Sequence, residues 1–464
     1  MIEIFEKQDS KIKALIEKIR TYTIGTDFEG KVYIVGGAVR DAILGNHIKD
    51  IDIVVEKHNG GIEFATFIAK KDNVCVRDSN PVIFPNYGTA KVNLKQDKNI
   101  APLEIECVQT RKEQYHSNSR NPDTVFGSII EDANRRDLTI NALYYNITED
   151  KLEDFTGKGI NDIKNHIIRT PQDPNVIFED DPLRILRTIR FSTRLGWNIE
   201  KETWIGMVSN SHRLDILSQE RITDEINKML LCDRPSIAIK KMLYSNVLNF
   251  VLPNVDNLRY VGNDNTLFNN ILNGLDTSEQ LLTTRLAILF IYSGKTIRQN
   301  DILESYEVKS IEIAERILKK MKYPNNIIKD VVKIIKYHSY FKNYQECENI
   351  YDKDIRKFIY ETGKLHKQII DIIICMNLTK KNILSYLLDR MEFIKSKMHN
   401  ETQVVLPLSG NDIIKGLNIK SGPIIGKIID ILTEEYYANP NITKEECIEL
   451  AKNELTKNNI QYAL

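Results

Sequence analysis

The stretch YIVGGAVRDAILGNHIKDIDIVVE, residues 33–56, decides the fold. An apolar run ends at Gly36-Gly37, the helical pattern AVRDAIL follows, and a second β-rich run begins at Asp50-Ile51-Asp52. Two glycines before a helix let a phosphate approach the backbone, and the first N–H groups of the helix favour an anion. This order of strand, turn, helix and strand predicts a small α/β unit with a phosphate site at its turn.

The chain on either side of this stretch divides into a mixed region and a helical region. Residues 1–23 and GGIEFATFIAKK (60–71) have helical periodicity. After about residue 149 helical patterns dominate, so the predicted fold class is α+β: a head with a mixed sheet, followed by an all-α neck, body and tail. The predicted domains are 1–149, 150–230, 231–400 and 401–464. The predicted strands are KVYIVGG (31–37), DIDIVVE (50–56), NVCVRD (73–78), TAKVNL (89–94), LEIECVQ (103–109) and LTINALYYN (138–146).

Composition excludes several classes of protein. The 464 residues include 64 basic and 64 acidic side chains, so the chain is no polycation, and 42% hydrophobic residues argue against disorder. Residues 1–230 carry four more acidic than basic side chains, and residues 231–464 carry four more basic ones. Six widely spaced cysteines argue against a disulfide framework and predict reduced thiols in the cytoplasm. No run approaches 18 apolar residues, so we expect no membrane span.

Carboxylates supply the first indication of chemistry. Asp50 and Asp52 project from one face at the start of a strand, where they repel each other unless a cation joins them. Mg²⁺ takes oxygen ligands of this kind, whereas the alternative is a solvated strand end. A two-metal site needs a third carboxylate, for which LEIECVQTR offers Glu104 or Glu106. Arg111 would suit a triphosphate, or is simply an exposed residue after a strand.

Six ordered motifs carry a resemblance to a known family. The patterns GGxVRD, DxD, RRDxTxNA and DPLRxLRxxRF resemble those of the bacterial and eukaryotic-type tRNA nucleotidyltransferases, the CCA-adding enzymes of the DNA polymerase beta superfamily. Their order and spacing agree over residues 31–230, and the rest agrees more loosely, through PLSGNDIIKGLNIKSGPIIGKII. The matching stretches are Gly36–Asp41, Asp50–Asp52, Arg135–Ala142, Asp154–Asp162, Asp180–Phe191 and Glu220–Lys228.

The resemblance implies a polymerase-beta-like head and a role for each matching residue. Asp50 and Asp52 would hold two Mg²⁺ ions, with Glu106 as the third carboxylate. The triphosphate would lie against Gly36, Gly37 and Arg40. The residues placed around the ribose and phosphates of the nucleotide are Arg135, Arg136, Asp137 and Asn141.

The helix that opens DDPLRILRTIRF would select the base. Asp181 and Arg184 are three residues apart and share a helix face, and in the family this pair makes Watson–Crick-like hydrogen bonds to the incoming base. An acceptor-only carboxylate with a donor-only guanidinium would favour C or A over G and U. The alternative for Asp181 is an N-cap followed by proline. Ile185, Leu186 and Ile189 should be buried, and the arginines Arg187, Arg190 and Arg194 would meet RNA phosphate or form salt bridges beside the core.

Three further stretches match the family in place. DFTGKGIND (154–162) resembles the hinge between head and neck, and ERITDEINK resembles the last neck motif, where Arg221 and Glu225 would also stabilise a helix as an i,i+4 pair. Residues 115–132 occupy the place of a flexible loop, whose presence favours addition of all three nucleotides. Where several relatives carry an adjacent His-Asp of an HD module, this chain reads Ile291-Tyr292; His338 alone remains. We therefore expect no second metal site or phosphatase activity there, but an RNA-binding body.

The resulting hypothesis is a Mg²⁺-dependent cytoplasmic enzyme that adds C, C and A to the 3′ end of tRNA from CTP and ATP. No membrane or obligate protein partner is implied. The alternatives are CC-only or A-only addition, and a poly(A) polymerase, whose basic C-terminal extension is not matched by LTKNNIQYAL. A catalytically inactive RNA-binding protein is disfavoured by intact Asp50, Asp52, Asp181 and Arg184.

Overall fold

The computed structural model describes residues 3–48, 50–72, 81–85, 88–94, 103–116, 119–261, 265–296, 305–344, 346–397 and 404–458. Contacts within the chain define two units, Met1–Pro253 and Asn254–Leu464. The α+β fold class is confirmed, because the first unit contains a mixed sheet and the remainder is helical. The finer division into four domains remains a prediction.

A seven-stranded sheet forms the centre of the first unit. Its strand order is β3-β4-β5-β2-β1-β8-β9, in which β2 and β5 are parallel and the other neighbours antiparallel. Two two-stranded sheets accompany it, β6 with β7 and β10 with β11. The strands are β1 (Val32–Val35), β2 (Ile51–Val55), β3 (Val82–Phe84), β4 (Thr89–Leu94), β5 (Leu103–Gln109), β6 (Arg111–His116), β7 (Ser119–Phe126), β8 (Tyr144–Asn146), β9 (Lys151–Glu153), β10 (Ile167–Ile168) and β11 (Asn198–Ile199).

Helices cover one face of this sheet and continue beyond it. Ile12, Leu15, Ile16 and Ile19 recur at helical spacing and are all buried against the sheet, as the sequence predicts. The predicted N-terminal helix begins only at residue 10. The helices of the first unit are α1 (Ser10–Thr23), α2 (Gly37–Ile43), α3 (Gly60–Lys71), α4 (Ile129–Asn134), α5 (Gly159–Asn165), α6 (Pro174–Asp180), α7 (Leu183–Leu195), α8 (Lys201–Asn210), α9 (Gln219–Leu230), α10 (Pro235–Tyr244) and α11 (Val247–Val251).

One predicted strand of the head requires correction, and a second is not tested. LTINALYYN was expected to be one strand, but residues 139–141 form a 3-10 turn and only 144–146 pair in the sheet. The turn is favoured because the side chains of Thr139 and Asn141 hydrogen-bond to Asp162 and Arg40 instead of alternating across a strand. The predicted strand NVCVRD, residues 73–78, lies outside the described residues.

The stretch 115–132, which occupies the place of the family's flexible loop, contains regular structure in its described residues. It contributes the end of β6, all of β7 and the first turn of α4. Strands β6 and β7 pair antiparallel, with Arg111 opposite Phe126. Helix α4 then begins at a capping box, in which Ser128 and Glu131 each bind the backbone N–H of the other.

The helices after the head pack through apolar stripes. Ile185, Leu186 and Ile189 of α7 are fully buried, which confirms the predicted stripe. Helix α7 packs against both α9 and α10. Its Arg190 donates to Glu225 of α9 at 2.6 Å, and this buried ion pair fixes the two helices in register.

The second unit is helical throughout its described parts, as predicted. Residues 286–290 of α14 are fully buried, and a separate apolar cluster joins the last three helices. No helix in the described ranges combines the length and hydropathy of a membrane span. No disulfide joins the cysteines that the structure describes. The remaining helices are α12 (Pro253–Asp256), α13 (Thr266–Thr277), α14 (Leu282–Phe290), α15 (Tyr306–Lys320), α16 (Asn325–Tyr337), α17 (Asp352–Thr362), α18 (His366–Cys375), α19 (Lys381–Lys397), α20 (Gly410–Gly416), α21 (Pro423–Ala438) and α22 (Lys444–Lys457).

Candidate active site

Two carboxylates stand side by side on the face of the sheet opposite the main core. Asp52 of β2 lies opposite Glu106 of β5 in the parallel register. Their neighbours Ile51, Ile53 and Ile105 point into the core, so both acids point the other way. Protein atoms around the Asp52 carboxyl group and the adjacent Glu106 charge raise its pKa, while Arg136 opposes the rise.

The structure distinguishes the two candidates for the third carboxylate. Glu104 is exposed and receives a hydrogen bond from Lys91 at 2.9 Å. Glu106, in contrast, is the residue paired with Asp52 and the one whose charge raises the pKa of Asp52. Asp50 is exposed immediately before β2. The geometry therefore favours Glu106 as the partner of the two aspartates.

This donor set fits a hard divalent cation that also binds substrate. Among the described residues, no three His, Cys, Asp or Glu side chains converge into a complete metal cage. Mg²⁺ commonly takes one or two protein carboxylates and completes its shell with water and substrate phosphates, so no such cage is required. The like-charge interaction of Asp52 with Glu106 is the feature that a cation would relieve.

The Gly-Gly turn lies beside these acids, at the end of β1. Val35, the last residue of β1, pairs with Asp52, and Gly36 follows it with φ 72° and ψ −124°. A side chain at that φ would be strained, so the turn depends on glycine. A Cβ at Gly36 would lie 3.6 Å from Nη1 of Arg136. The turn thus lies next to a guanidinium, an arrangement that suits a phosphate.

A buried carboxylate holds the two arginines of the RRD motif. Asp132 accepts hydrogen bonds from Arg135 at 2.6 Å, from Arg136 at 3.0 Å and from the hydroxyl of Tyr144 at 2.7 Å. Burial alone would raise the pKa of Asp132, but Arg136 and Arg135 outweigh it and hold that pKa below its usual range. Arg136 also lies over the Tyr144 ring, 5.2 Å from its centre. Asp132 therefore orients Arg136 toward the turn.

A chain of hydrogen bonds runs from the turn to α7. Nη1 of Arg40 donates to Asn141 at 2.5 Å, Asn141 donates to Asp137 at 3.1 Å, and Nε of Arg187 donates to Asp137 at 2.7 Å. Arg40, Asn141 and Asp137 are all buried. The ring of Phe191 lies between the arginines, with its centre 4.9 Å from Arg40 and 5.6 Å from Arg187. Asp137 and Asn141 thus position arginines in this structure.

The proposed base-reading pair lies at the start of α7. Asp181 caps the helix, since its Oδ1 accepts the N–H of Leu183 at 3.1 Å, and its Oδ2 receives Arg221 at 2.8 Å. Arg184 is buried and donates to the carbonyl of Ile177 at 3.3 Å. Asp181 thus binds the first backbone N–H of α7 through Oδ1, while its Oδ2 binds Arg221, whose side chain is partly exposed.

The expected pairing of Arg221 with Glu225 along α9 is wrong. Arg221 donates to Asp181, and Glu225 accepts from Arg190. Of the three arginines following Arg184, Arg187 and Arg190 form salt bridges beside the core, and Arg194 is exposed. The Arg190–Glu225 pair is buried and joins α7 to α9, whereas the Arg221–Asp181 pair is partly exposed.

The DFTGKGIND stretch forms a tight turn between β9 and α5. Asp154 accepts the N–H of Thr156 at 3.2 Å and the N–H of Ile160 at 3.0 Å, and Gly157 has φ 67°. Asp162 accepts the hydroxyl of Thr139 at 2.7 Å. The stretch therefore ties the turn that carries Asn141 to the first neck helix.

Several functional candidates escaped the sequence interpretation. Asp132 precedes Arg135 and Arg136 by three and four residues, a helical spacing that would have indicated the contact. Lys91 and Tyr144 lie at the site because of the way the strands pair, and the sequence alone does not give that register. Arg111, predicted to meet the triphosphate, uses its backbone N–H and carbonyl to bind Asp132 and Arg135.

The region that would correspond to an HD module lacks metal ligands at the expected position. Ile291 is fully buried and Tyr292 nearly so. His338 is buried and makes a hydrogen bond through Nδ1 to the carbonyl of Ile335 at 2.6 Å; burial lowers its pKa. The side chain is therefore a packed core histidine.

Comparison with known proteins agrees with this geometry. Residues 32–169 match the family model of the poly(A) polymerase head domain, and residues 196–258 match a probable RNA- and SrmB-binding site of polymerase A. These matches cover the seven-stranded sheet, the turn and helices α8 to α12, but neither α6 nor α7. The first unit therefore contains a region that is similar to the poly(A) polymerase head domain.

Full-length relatives narrow the class. The chain is 27% identical to the mitochondrial CCA tRNA nucleotidyltransferase of Candida glabrata, with 90% of each chain covered, and 27% identical to the CCA-adding enzyme of Ligilactobacillus salivarius, with 97% and 98% covered. The solved Bacillus stearothermophilus CCA-adding enzyme in complex with CTP has the same fold, with a TM-score of 0.67, 18% identity, and 99% and 100% coverage. The chain is therefore similar, over most of its length, to CCA-adding tRNA nucleotidyltransferases.

Proposed function

We propose that the protein adds C, C and A, without a nucleic-acid template, to the 3′ end of tRNA from CTP and ATP. The observation that carries the proposal is the shared position of three features in one unit: the Asp52–Glu106 pair, the Gly36 turn and the start of α7. The names of the relatives, together with the CTP in the Bacillus stearothermophilus complex, support these substrates.

The transferred group would be a nucleoside monophosphate. The tRNA 3′-hydroxyl oxygen would form a bond to the α-phosphorus, the bond from that phosphorus to the bridging oxygen would break, and pyrophosphate would leave while the hydroxyl proton passes to solvent. Asp50, Asp52 and Glu106 would hold Mg²⁺, which supplies charge neutralisation at the attacking and leaving oxygens. Backbone groups of Gly36 and Gly37, with Arg136, would hold the departing phosphates.

Selection of the base would rest on Asp181 and Arg184. Arg184 offers only donors and Asp181 only acceptors, a set that C and A can satisfy together and that leaves unpaired groups with G or U. Because Arg221 occupies Oδ2 of Asp181 in this structure, the base would compete with Arg221 for that oxygen. Arg40 and Arg187 would stay fixed by Asn141 and Asp137 while this exchange occurs.

The acceptor would be recognised mainly by shape and backbone rather than by base readout. We assign this role to the helical second unit, whose part of the chain carries the slight basic excess. The cytoplasm is the proposed compartment, on the basis of cysteine usage. Targeting would be checked by localising a tagged full-length chain, since one relative is mitochondrial.

Product length tests the activity. tRNA lacking its terminal CCA is incubated with labelled CTP, ATP or both, with and without Mg²⁺, and products are resolved at single-nucleotide length. Growth by two residues with CTP and by three with both nucleotides supports the proposal. A long A-tail would indicate a poly(A) polymerase, and a stop after CC or exclusive use of CC-ended tRNA would indicate a partial-addition enzyme.

A further inference from the structure

One row of paired residues crosses the catalytic sheet. Lys91 of β4 lies opposite Glu106 of β5, which lies opposite Asp52 of β2, which lies opposite Val35 of β1. The flanking residues Ala90 and Val92 are fully buried in the core below, so Lys91 points to the same face as the two acids. Lys91 was not among the residues that sequence motifs singled out.

The order of this row constrains the direction from which the acceptor RNA approaches. The Gly36 turn follows Val35, so the leaving phosphates would lie on the β1 side of Asp52. In-line displacement places the attacking oxygen on the opposite side of the α-phosphorus. The attacking 3′ end would therefore lie over β5 and β4, above Glu106 and Lys91.

This side of the face is otherwise unfavourable to RNA. Glu104 and Glu106 both lie on β5, and a phosphate backbone placed there meets two carboxylates. Lys91 is the one basic residue in the strands β3, β4 and β5 as the structure bounds them. Its ammonium group lies 2.9 Å from Glu104, and with adjacent strands about 4.8 Å apart its backbone is about 10 Å from that of Asp52.

We propose that Lys91 binds the phosphate nearest the 3′ end of the acceptor RNA, exchanging its contact with Glu104 for that phosphate. The inference rests on the proposed transfer reaction. A lysine suits the role because its ammonium group is a compact charge on a flexible stem and can turn from a carboxylate to a nearby phosphate. Lys91 is then an RNA-binding residue that sets the position of the attacking hydroxyl.

Steady-state kinetics of Lys91→Ala and Lys91→Arg test this role. Lys91→Ala should raise KM for tRNA about tenfold and leave KM for CTP unchanged. The slope of log affinity for tRNA against log salt should fall by about 0.7, the share of one phosphate contact with a single strand. Lys91→Arg should restore most of the affinity, because it retains the charge.

Lys151→Ala is the matched control. Lys151 also pairs with a carboxylate, Glu153 at 2.8 Å, and lies on β9 at the opposite edge of the same sheet. The Lys151→Ala variant should have the kcat and the KM values of the wild-type protein. An unchanged KM for tRNA in Lys91→Ala would overturn the inference. A lower kcat with equal changes in KM for tRNA and for CTP would also overturn it, because that result would indicate that Lys91 supports the metal site. Absence of any C addition by the wild-type protein would instead reject the proposed function.

Discussion

Arg187 of α7 holds Oδ2 of Asp137 through Nε and Nη2, each at 2.7 Å. Asp137 belongs to the RRD motif of the head and is bonded through Asn141 to Arg40, beside the Gly-Gly turn. One short chain of side chains therefore joins the proposed phosphate site to the helix that carries Asp181 and Arg184. Such a connection keeps the base-reading groups at a fixed distance from the reacting phosphate.

Replacement of Asp137 by Asn should weaken this connection. Asp137 is buried but the Arg187 side chain is 35% exposed, so solvent would partly screen the unpaired charge, and we expect the free energy of unfolding to fall by about 1–2 kcal/mol. Urea unfolding of Asp137→Asn beside Asp215→Asn, which alters an exposed carboxylate, measures the difference. Equal stability of the two variants would show that the ion pair contributes nothing.

The Asp137–Arg187 ion pair should also make the free energy of unfolding depend on pH in the acid range. Although burial opposes it, Arg187 lowers the pKa of Asp137 to about 2. A carboxyl group with a lowered pKa contributes stability that is complete above its unfolded pKa, about 3.8, and is lost as pH falls through the folded value. The stability gap between wild type and Asp137→Asn should therefore be constant from pH 7 to about 4 and narrow below that pH.

The third carboxylate can be identified with a matched pair of variants. Glu106→Gln should reduce kcat at least about 100-fold, because Glu106 stands beside Asp52 where the cation would bind. Glu104→Gln should change kcat little, since Glu104 is exposed and pairs with Lys91 rather than with Asp52. Rates at saturating CTP and tRNA provide the comparison. The reverse ranking of the two variants would reassign the site.

Arg184 should affect the choice of base more strongly than it affects the rate of nucleotidyl transfer. Arg184→Ala should retain measurable transfer but accept UTP or GTP at a raised rate, because the donor groups that penalise these bases are removed. Arg221→Ala should keep the preference for C and A, since Asp181 loses only a competitor. Incorporation of each nucleotide is compared in separate reactions. Full discrimination by Arg184→Ala would contradict a protein template.

A partly buried lysine gives a prediction independent of catalysis. Burial lowers the pKa of Lys241 in α10 to about 8, and its ammonium group contacts the hydroxyl of Ser192. Since the folded pKa lies below the unfolded one, the charged form costs stability at neutral pH, and stability rises as pH increases from about 8 toward 10.5. Lys241→Met should add about 1–2 kcal/mol at pH 7 and less at pH 9.5.

Thermal unfolding at both pH values measures this effect. Lys240→Met, on the exposed neighbour in the same helix, serves as the control and should show no difference between the two pH values relative to wild type. A pH-independent gain in Lys241→Met would mean that improved packing, rather than removal of a charge, stabilises the variant.

Local patterns predicted the elements around the site better than the contacts within it. The strand, glycine turn and helix of residues 33–56 were predictable because each depends on nearby residues: an apolar run, φ above zero at Gly36 and helical spacing in α2. The choice between Glu104 and Glu106 was not, because it depends on how β2 pairs with a strand about 50 residues away.

The same distinction explains the errors. LTINAL has β-prone residues, yet tertiary hydrogen bonds to Thr139 and Asn141 give a turn. Arg221 and Glu225 have the spacing of a helical pair, yet each binds a residue of another segment. The helical spacing of Asp132 indicates its contacts with Arg135 and Arg136, but not its full burial or the hydrogen bond from Tyr144.

The most direct test of the account is the exact length of the product formed on tRNA that lacks CCA. With CTP, ATP and Mg²⁺ the wild-type protein should add three nucleotides in the order C, C, A and stop, and Asp52→Asn should add none. Addition of more than one A, a halt after CC, or full addition by Asp52→Asn would contradict it.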